Sequence, residues 1–190
     1  MIILIMRTIL FNKPYGVLSQ FTDEGMGHPT LKQFINVPNV YAAGRLDRDS
    51  EGLLLLTGDG ALIKQLTEPK HRIEKTYWVM VEGDPTQYKL TQLERGIQLK
   101  DYRTLPAKAR LILNPGLPPR PKPVTPHGAT AWIEIKLRES KKRQIRHMTS
   151  AVGLFTLRLV RVAIGPIQLG ELESGKWREL REDEINLLKK

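Results

Sequence analysis

Cysteine is absent from this 190-residue chain. That excludes a disulfide framework, a thiolate metal site and a thiol nucleophile, and it fits a reducing, cytoplasmic setting. Aromatic residues make up only 6% of the chain, few for the ring platforms of an enzyme acting on sugar polymers. No G-x-G-x-x-G follows a strand pattern and no G-x-x-x-x-G-K-[ST] occurs, so the usual phosphate-cradling loops of nucleotide enzymes are missing. The histidines, His28, His71, His127 and His147, lie in separate segments without metal-ligand spacing. A zinc hydrolase and a Ser-His-Asp triad therefore have no support. No apolar run is long enough to span a bilayer, and the apolar start, Met1 to Met6, lacks a basic n-region and a small-residue cleavage site; it runs on through Arg7 and Thr8 into Ile9-Leu10-Phe11 and reads as a first strand.

What is present in excess is positive charge. Thirty Lys and Arg stand against twenty Asp and Glu, a net charge of +10. Such a balance points to a polyanionic partner, most often nucleic acid. The length allows one domain or one domain in two lobes.

The pattern along the chain predicts a mixed, largely antiparallel α+β architecture with flanking helices. Strands are expected at Val17 to Phe21, Val40 to Ala43, the leucine run Leu53 to Leu56, Lys75 to Val81, 107 to 113, 130 to 138, 156 to 163 and about 167 to 172. Thr30 caps a short helix through Phe34, and Asp59 caps another through Leu66. Residues 86 to 95 carry helical spacing through Tyr88, Leu90 and Leu93. Further helices are expected over Arg143 to Val152 and Asp183 to Leu188. Six prolines, at 115, 118, 119, 121, 123 and 126, make 114 to 128 a stiff, extended, basic loop, mobile without a partner.

The chemistry concentrates in residues 44 to 57, Gly-Arg-Leu-Asp-Arg-Asp-Ser-Glu-Gly-Leu-Leu-Leu-Leu-Thr. Three carboxylates and two arginines run directly into a strand buried on both faces, so a rigid element holds them at a sheet edge. An EF-hand reading fails, because the twelfth position is Gly58 where a bidentate Glu is needed and a strand follows where a helix should. Asp47 and Asp49 on an extended segment would lie roughly 6.5 to 7 Å apart, near the spacing of an inverting glycosidase pair. The basic balance and scarce aromatics argue against that reading. Asp49 and Glu51 read as a solvated, mutually neutralising turn.

This segment closely resembles the signature of the pseudouridine synthases, in the branch that modifies ribosomal RNA. Lys13-Pro14-Tyr15-Gly16, Lys75-Thr76-Tyr77, Arg143-Gln144-Ile145-Arg146-His147-Met148, Arg158 to Gly165 and Gly175 to Leu180 are similar to the other family motifs, in order, over nearly the whole chain. The resemblance is strongest to a subgroup acting on the large ribosomal subunit, which implies a uridine of 23S ribosomal RNA, or of a large-subunit assembly intermediate, as substrate. It also implies a single catalytic domain over 1 to 190. Most relatives in the branch carry an S4-like RNA-binding domain, and this chain starts directly at the catalytic strand, so target choice is expected to come from the catalytic domain itself. Ser140-Lys141 stands where relatives tend to have Gly-Arg.

The implied reaction breaks an N-glycosidic bond, turns the base and rejoins it through C5, so no cofactor and no metal is expected. The resemblance makes Asp47 the catalytic carboxylate, attacking covalently or abstracting a ribose proton. It makes Arg146 the expected partner of Asp47, and Tyr77 the ring that stacks on the flipped base and helps remove the C5 proton. Arg45, Arg48, Lys13, Lys141, Lys142 and Arg143 are the expected RNA contacts, Lys13 alternatively buttressing its Pro-containing turn. The implied protein is a cytoplasmic monomer without membrane association. The alternative is a non-catalytic ribosomal RNA-binding protein.

Overall fold

A computed structural model describes residues 6 to 189. They form two compact units, one comprising the chain up to His71 together with Ala163 onward, the other Arg72–Val162.

The first unit is organised around β1 (Thr8–Lys13) and β3 (Glu51–Thr57), which pair antiparallel with Ile9 opposite Leu56 and Phe11 opposite Leu54. All seven residues of β3 are buried, as the leucine run requires. Alternation sends Leu54 and Leu56 to one face, where they meet Ile9, Phe11, Leu31, Ile35, Val37 and Val40. Leu53 and Leu55 point the other way and are equally enclosed. A strand covered on both faces is immobile, so it holds whatever loop precedes it. Short strand β2 (Tyr41–Ala42) pairs with the end of β3.

Asp59 caps α1 (Gly60–Thr67), accepting from the N–H groups of Ala61 and Leu62 at 2.9 and 3.1 Å. Its carboxylate also meets Lys189 at 3.1 Å. Thr30 caps a single 3₁₀ turn, Leu31–Gln33. Strand β9 (Trp177–Glu179) pairs with β1, and α4 (Glu182–Leu188) closes the unit.

The second unit holds β4 (Lys75–Glu82), β5 (Lys108–Ile112) and β6 (Thr130–Leu137), with β6 in the centre pairing antiparallel with both of the others. Tyr77, Val79 and Val81 of β4 share their buried face with Ile133 and Ile135 of β6. The opposite face carries Trp78, Met80 and the buried Trp132 together with Glu134, which accepts from Trp78 Nε1 at 3.4 Å and from Arg110 Nε at 2.9 Å. Helix α2 (Gln87–Glu94) buries Leu90 and Leu93, and α3 (Gln144–Ala151) buries Ile145 and Met148. Strand β7 (Phe155–Ile164) begins in this unit and ends in the first, where it pairs with β8 (Ile167–Gln168). Residues 114 to 128 hold no helix or strand. The segment is tethered by Arg158, which donates to the Pro118 carbonyl at 3.0 Å, and by Glu82, which accepts from His127 N at 2.6 Å.

The first strand, expected from the apolar start on through Phe11, is present as β1 from Thr8, and residues 1 to 5 of that expectation lie outside the described residues. Three other expectations need correction. Val17 to Phe21 is irregular, because its backbone bonds go to single partners: Leu18 N to Pro29 O, and Gln20 O from Leu31 N. The strand expected to reach residue 172 is two residues long. Tyr88 lies on the water side of α2, 73% exposed, and does not share its buried face.

Candidate active site

Asp47 sits half-buried in the loop between β2 and β3. Glycines with positive φ flank this charged segment, Gly44 at +92° before it and Gly52 at +101° inside β3 opposite Lys13, a backbone that other residues adopt only under strain. Ser50 N donates to the Asp47 carbonyl at 3.0 Å, closing a turn that places Asp47 four residues before the buried strand. Arg45 and Arg48 are exposed on either side. The Arg45 guanidinium donates to Gln20 Oε1 at 3.3 Å. Arg48 Nη1 stands 3.1 and 3.2 Å from the two ring nitrogens of His28.

Lys13 is fully enclosed. Its ammonium donates to the carbonyls of Pro14 and Val17 at 2.9 and 2.7 Å, and reaches the Arg48 carbonyl at 3.5 Å. That puts the charge inside the turn and not on a surface open to RNA, so the buttressing reading of Lys13 replaces the RNA-contact reading. Glu51, expected in a solvated turn, is 6% exposed as the first residue of β3. Asp49 stays half-buried.

The second unit carries the other expected site residues. Tyr77 lies on the buried face of β4, opposite Ile135. Two residues earlier, Lys75 is half-buried. Burial first, and the charge of Arg161 second, pull its amine down to about 8. Arg146 lies half-buried on α3, with Nη1 donating to the Thr156 carbonyl at 3.2 Å.

The start of α3 is built by side chains. Gln144 Oε1 accepts from Lys141 N at 3.0 Å while its amide donates to Glu139 at 2.5 Å. Arg143 takes the left-handed conformation at φ 53°. The Lys141 ammonium rests 3.5 Å from the centre of the Tyr102 ring, a cation–π contact, while Lys142 is exposed. Asp47, Lys13, Arg45 and Arg48 thus belong to one unit, and Tyr77, Arg146 and the 141 to 143 cations to the other.

Residues that sequence reasoning passed over are Ser19, Gln20 and His28, which hold the charged segment, and Lys75 and Arg161. Lys75 and Arg161 both stood inside recognised motifs. Gln20 opened a segment similar to the subgroup, Gln20-Phe-Thr-Asp-Glu, while Ser19 and His28 carried no local signal.

Residues 7–151 match the family of RNA pseudouridylate synthases, and the chain belongs to that family of RNA-modifying isomerases. It is 52% identical over 176 residues to the ribosomal large subunit pseudouridine synthase E of Vibrio vulnificus, covering 92% of this chain and 75% of that protein. To the protein of the same name from Xanthomonas campestris it is 53% identical over 174 residues, covering 90% and 93%. A crystal structure of a pseudouridylate synthase superposes with a TM-score of 0.81 at 31% identity, over 96% of this chain and 74% of that one. The α+β fold expected from the motifs is therefore the fold present.

Proposed function

We propose that the chain isomerises a uridine of large-subunit ribosomal RNA, 23S, to pseudouridine, with Asp47 supplying the reacting carboxylate. The observation that carries this is the family match over residues 7–151, which takes in Asp47, Tyr77 and Arg146. The ribosomal target rests on the named relatives, more than half identical to this chain. We read the two units as one catalytic domain, acting as a cytoplasmic monomer on naked RNA or an assembling subunit.

The bond from ribose C1′ to N1 of the base breaks, the base turns, and C1′ bonds to C5. The C5 hydrogen leaves as a proton and N1 gains one, so atoms balance with no redox step. Asp47 acts on the sugar or base while the bond is open, and the buried strand behind it limits its movement. Arg146 supplies a fixed cation, and Tyr77 the ring on which a flipped base stacks, at an unstacking cost of a few kcal/mol. Arg45 and Arg48 hold phosphates beside the flipped nucleotide.

The test is Asp47→Asn, assayed with ribosomal RNA transcript carrying C5-tritiated uridine. The variant should bind RNA and release no tritium, and full release would remove Asp47 from the reaction. Mapping pseudouridine in ribosomal RNA from cells lacking the protein identifies the target: one large-subunit position should revert to uridine, and an unchanged 23S map would overturn that assignment.

A further inference from the structure

We propose that Ser19 is a positioning residue for Asp47, the pivot of a clasp formed by residues 13 to 28; the inference rests on Asp47 being the reacting carboxylate. Ser19 is 5% exposed. Its hydroxyl donates to the Leu46 carbonyl at 2.7 Å and accepts from Leu46 N at 3.0 Å. One side chain therefore holds both backbone polar groups of the residue that precedes Asp47, and Leu46 is itself buried. Without Ser19 those two groups lose this partner inside the protein, a situation that folded chains avoid.

The other flank is held from the same segment. The Arg48 carbonyl accepts from Gly16 N at 2.8 Å and is reached by the Lys13 ammonium at 3.5 Å. Asp47 thus hangs between two clamped neighbours, four residues before β3 begins. Beyond Ser19 the segment folds back through Asp23, whose carboxylate accepts from Gly27 N at 2.5 Å and His28 N at 2.8 Å. That fold-back returns His28 to Arg48, while Gln20 holds Arg45. The clasp divides its labour: its buried member sets the backbone under the carboxylate, and its outer members set the two arginines.

A carboxylate displaced by an ångström loses on the order of 10²-fold in rate. Ser19→Ala should accordingly lower kcat ten- to a hundredfold on ribosomal RNA while leaving KM within about twofold. Ser19→Thr, which retains the hydroxyl, should recover most of that loss. Gln20→Ala and His28→Ala should act in the opposite sense, raising KM more than they lower kcat. Amide exchange supplies a readout independent of chemistry: peptides covering 44 to 50 should exchange faster in Ser19→Ala, with 53 to 56 unchanged.

A Ser19→Ala protein that melts earlier yet keeps the kcat of the parent when folded would make Ser19 merely structural and overturn the proposal, as would unaltered exchange over 44 to 50. Should Ser19→Ala not fold, Ser19→Cys is measured in its place. Its weakly bonding thiol should give an intermediate kcat, and a parental kcat would likewise overturn the proposal. Full activity of Asp47→Asn would instead defeat the assignment of Asp47, an outcome distinct from either result at Ser19.

Discussion

Lys75 offers the sharpest quantitative test of the second unit. It opens β4 two residues before Tyr77, on the same side of the strand, and shares its surroundings with the buried cation Arg161. Burial is the larger cause and the Arg161 charge the smaller, and together they bring the amine from 10.5 to about 8. At pH 8 about half of the molecules then carry a neutral amine, against about one in 300 for an ordinary lysine. The gap corresponds to about 3 kcal/mol against the cation. Because the side chain keeps some contact with water, screening reduces this to about 1–2 kcal/mol.

The unfolded chain holds the proton on Lys75 more tightly than the folded one does, so folding releases it. The destabilisation is complete below pH 8 and fades as pH rises from about 8 towards 10.5. Lys75→Met should therefore be more stable than the parent at pH 7 by about 1–2 kcal/mol in urea denaturation, the advantage shrinking by pH 10. The direct assay is NMR titration of the ¹³C-methylated lysines: one resonance, absent from Lys75→Met, should titrate near pH 8. A midpoint above 10 for that resonance would refute the account of burial beside Arg161.

Other perturbations test the first unit. Glu184 accepts both Arg178 guanidinium nitrogens at 2.8 Å and Arg181 N at 2.9 Å, and the Arg178 bonds above all hold its carboxyl down at about 2. This contributes about 1–2 kcal/mol once screening at the partly exposed Arg178 is allowed for. The contribution is present above pH 4.5 and fades towards pH 2, so Glu184→Gln should be less stable by that amount at pH 7 but by less than half of it at pH 3. A constant difference in urea midpoint across that range would exclude the ion pair as its source. Gly44→Ala meets nothing nearer than Thr67 Cγ2 at 3.7 Å, so only its φ of +92° opposes the change, by about 1–2 kcal/mol. At Gly96, also of positive φ, a Cβ would collide with the Thr104 carbonyl oxygen. Gly96→Ala should cost about 3 kcal/mol or more, and equal losses at the two glycines in denaturant titrations would contradict this steric argument.

How much could be read in the sequence depended on whether a feature was local. The leucine run, the caps at Thr30 and Asp59, and the alternation of β4 and β6 are written in neighbouring residues, and all stand in the fold. Strand β9 was not legible, because three residues, Trp177–Glu179, become a strand only through their pairing with β1. The Val17 to Phe21 segment misled for the same reason. Its composition suits a strand, but no neighbouring strand is offered to it, and its polar groups go to Pro29, Leu31 and Leu46.

The same distinction runs through the candidate site. Asp47, Arg45 and Arg48 stood out because charges packed against an apolar run are conspicuous in a few residues of text. Ser19 did not, since its partner Leu46 lies 27 positions away and a serine after a turn is unremarkable. Lys13 carried two readings, an RNA contact from its charge and a buttress from its Pro-containing turn, and its environment favours the second: an enclosed ammonium bonded to carbonyls holds the turn together. Reactive groups must carry distinctive chemistry and therefore announce themselves. The groups that hold them need only a hydrogen bond in the right place, which many residue types can supply. In this chain the holding groups run from Lys13 in the first motif to His28, through an irregular stretch that forms neither helix nor strand after β1.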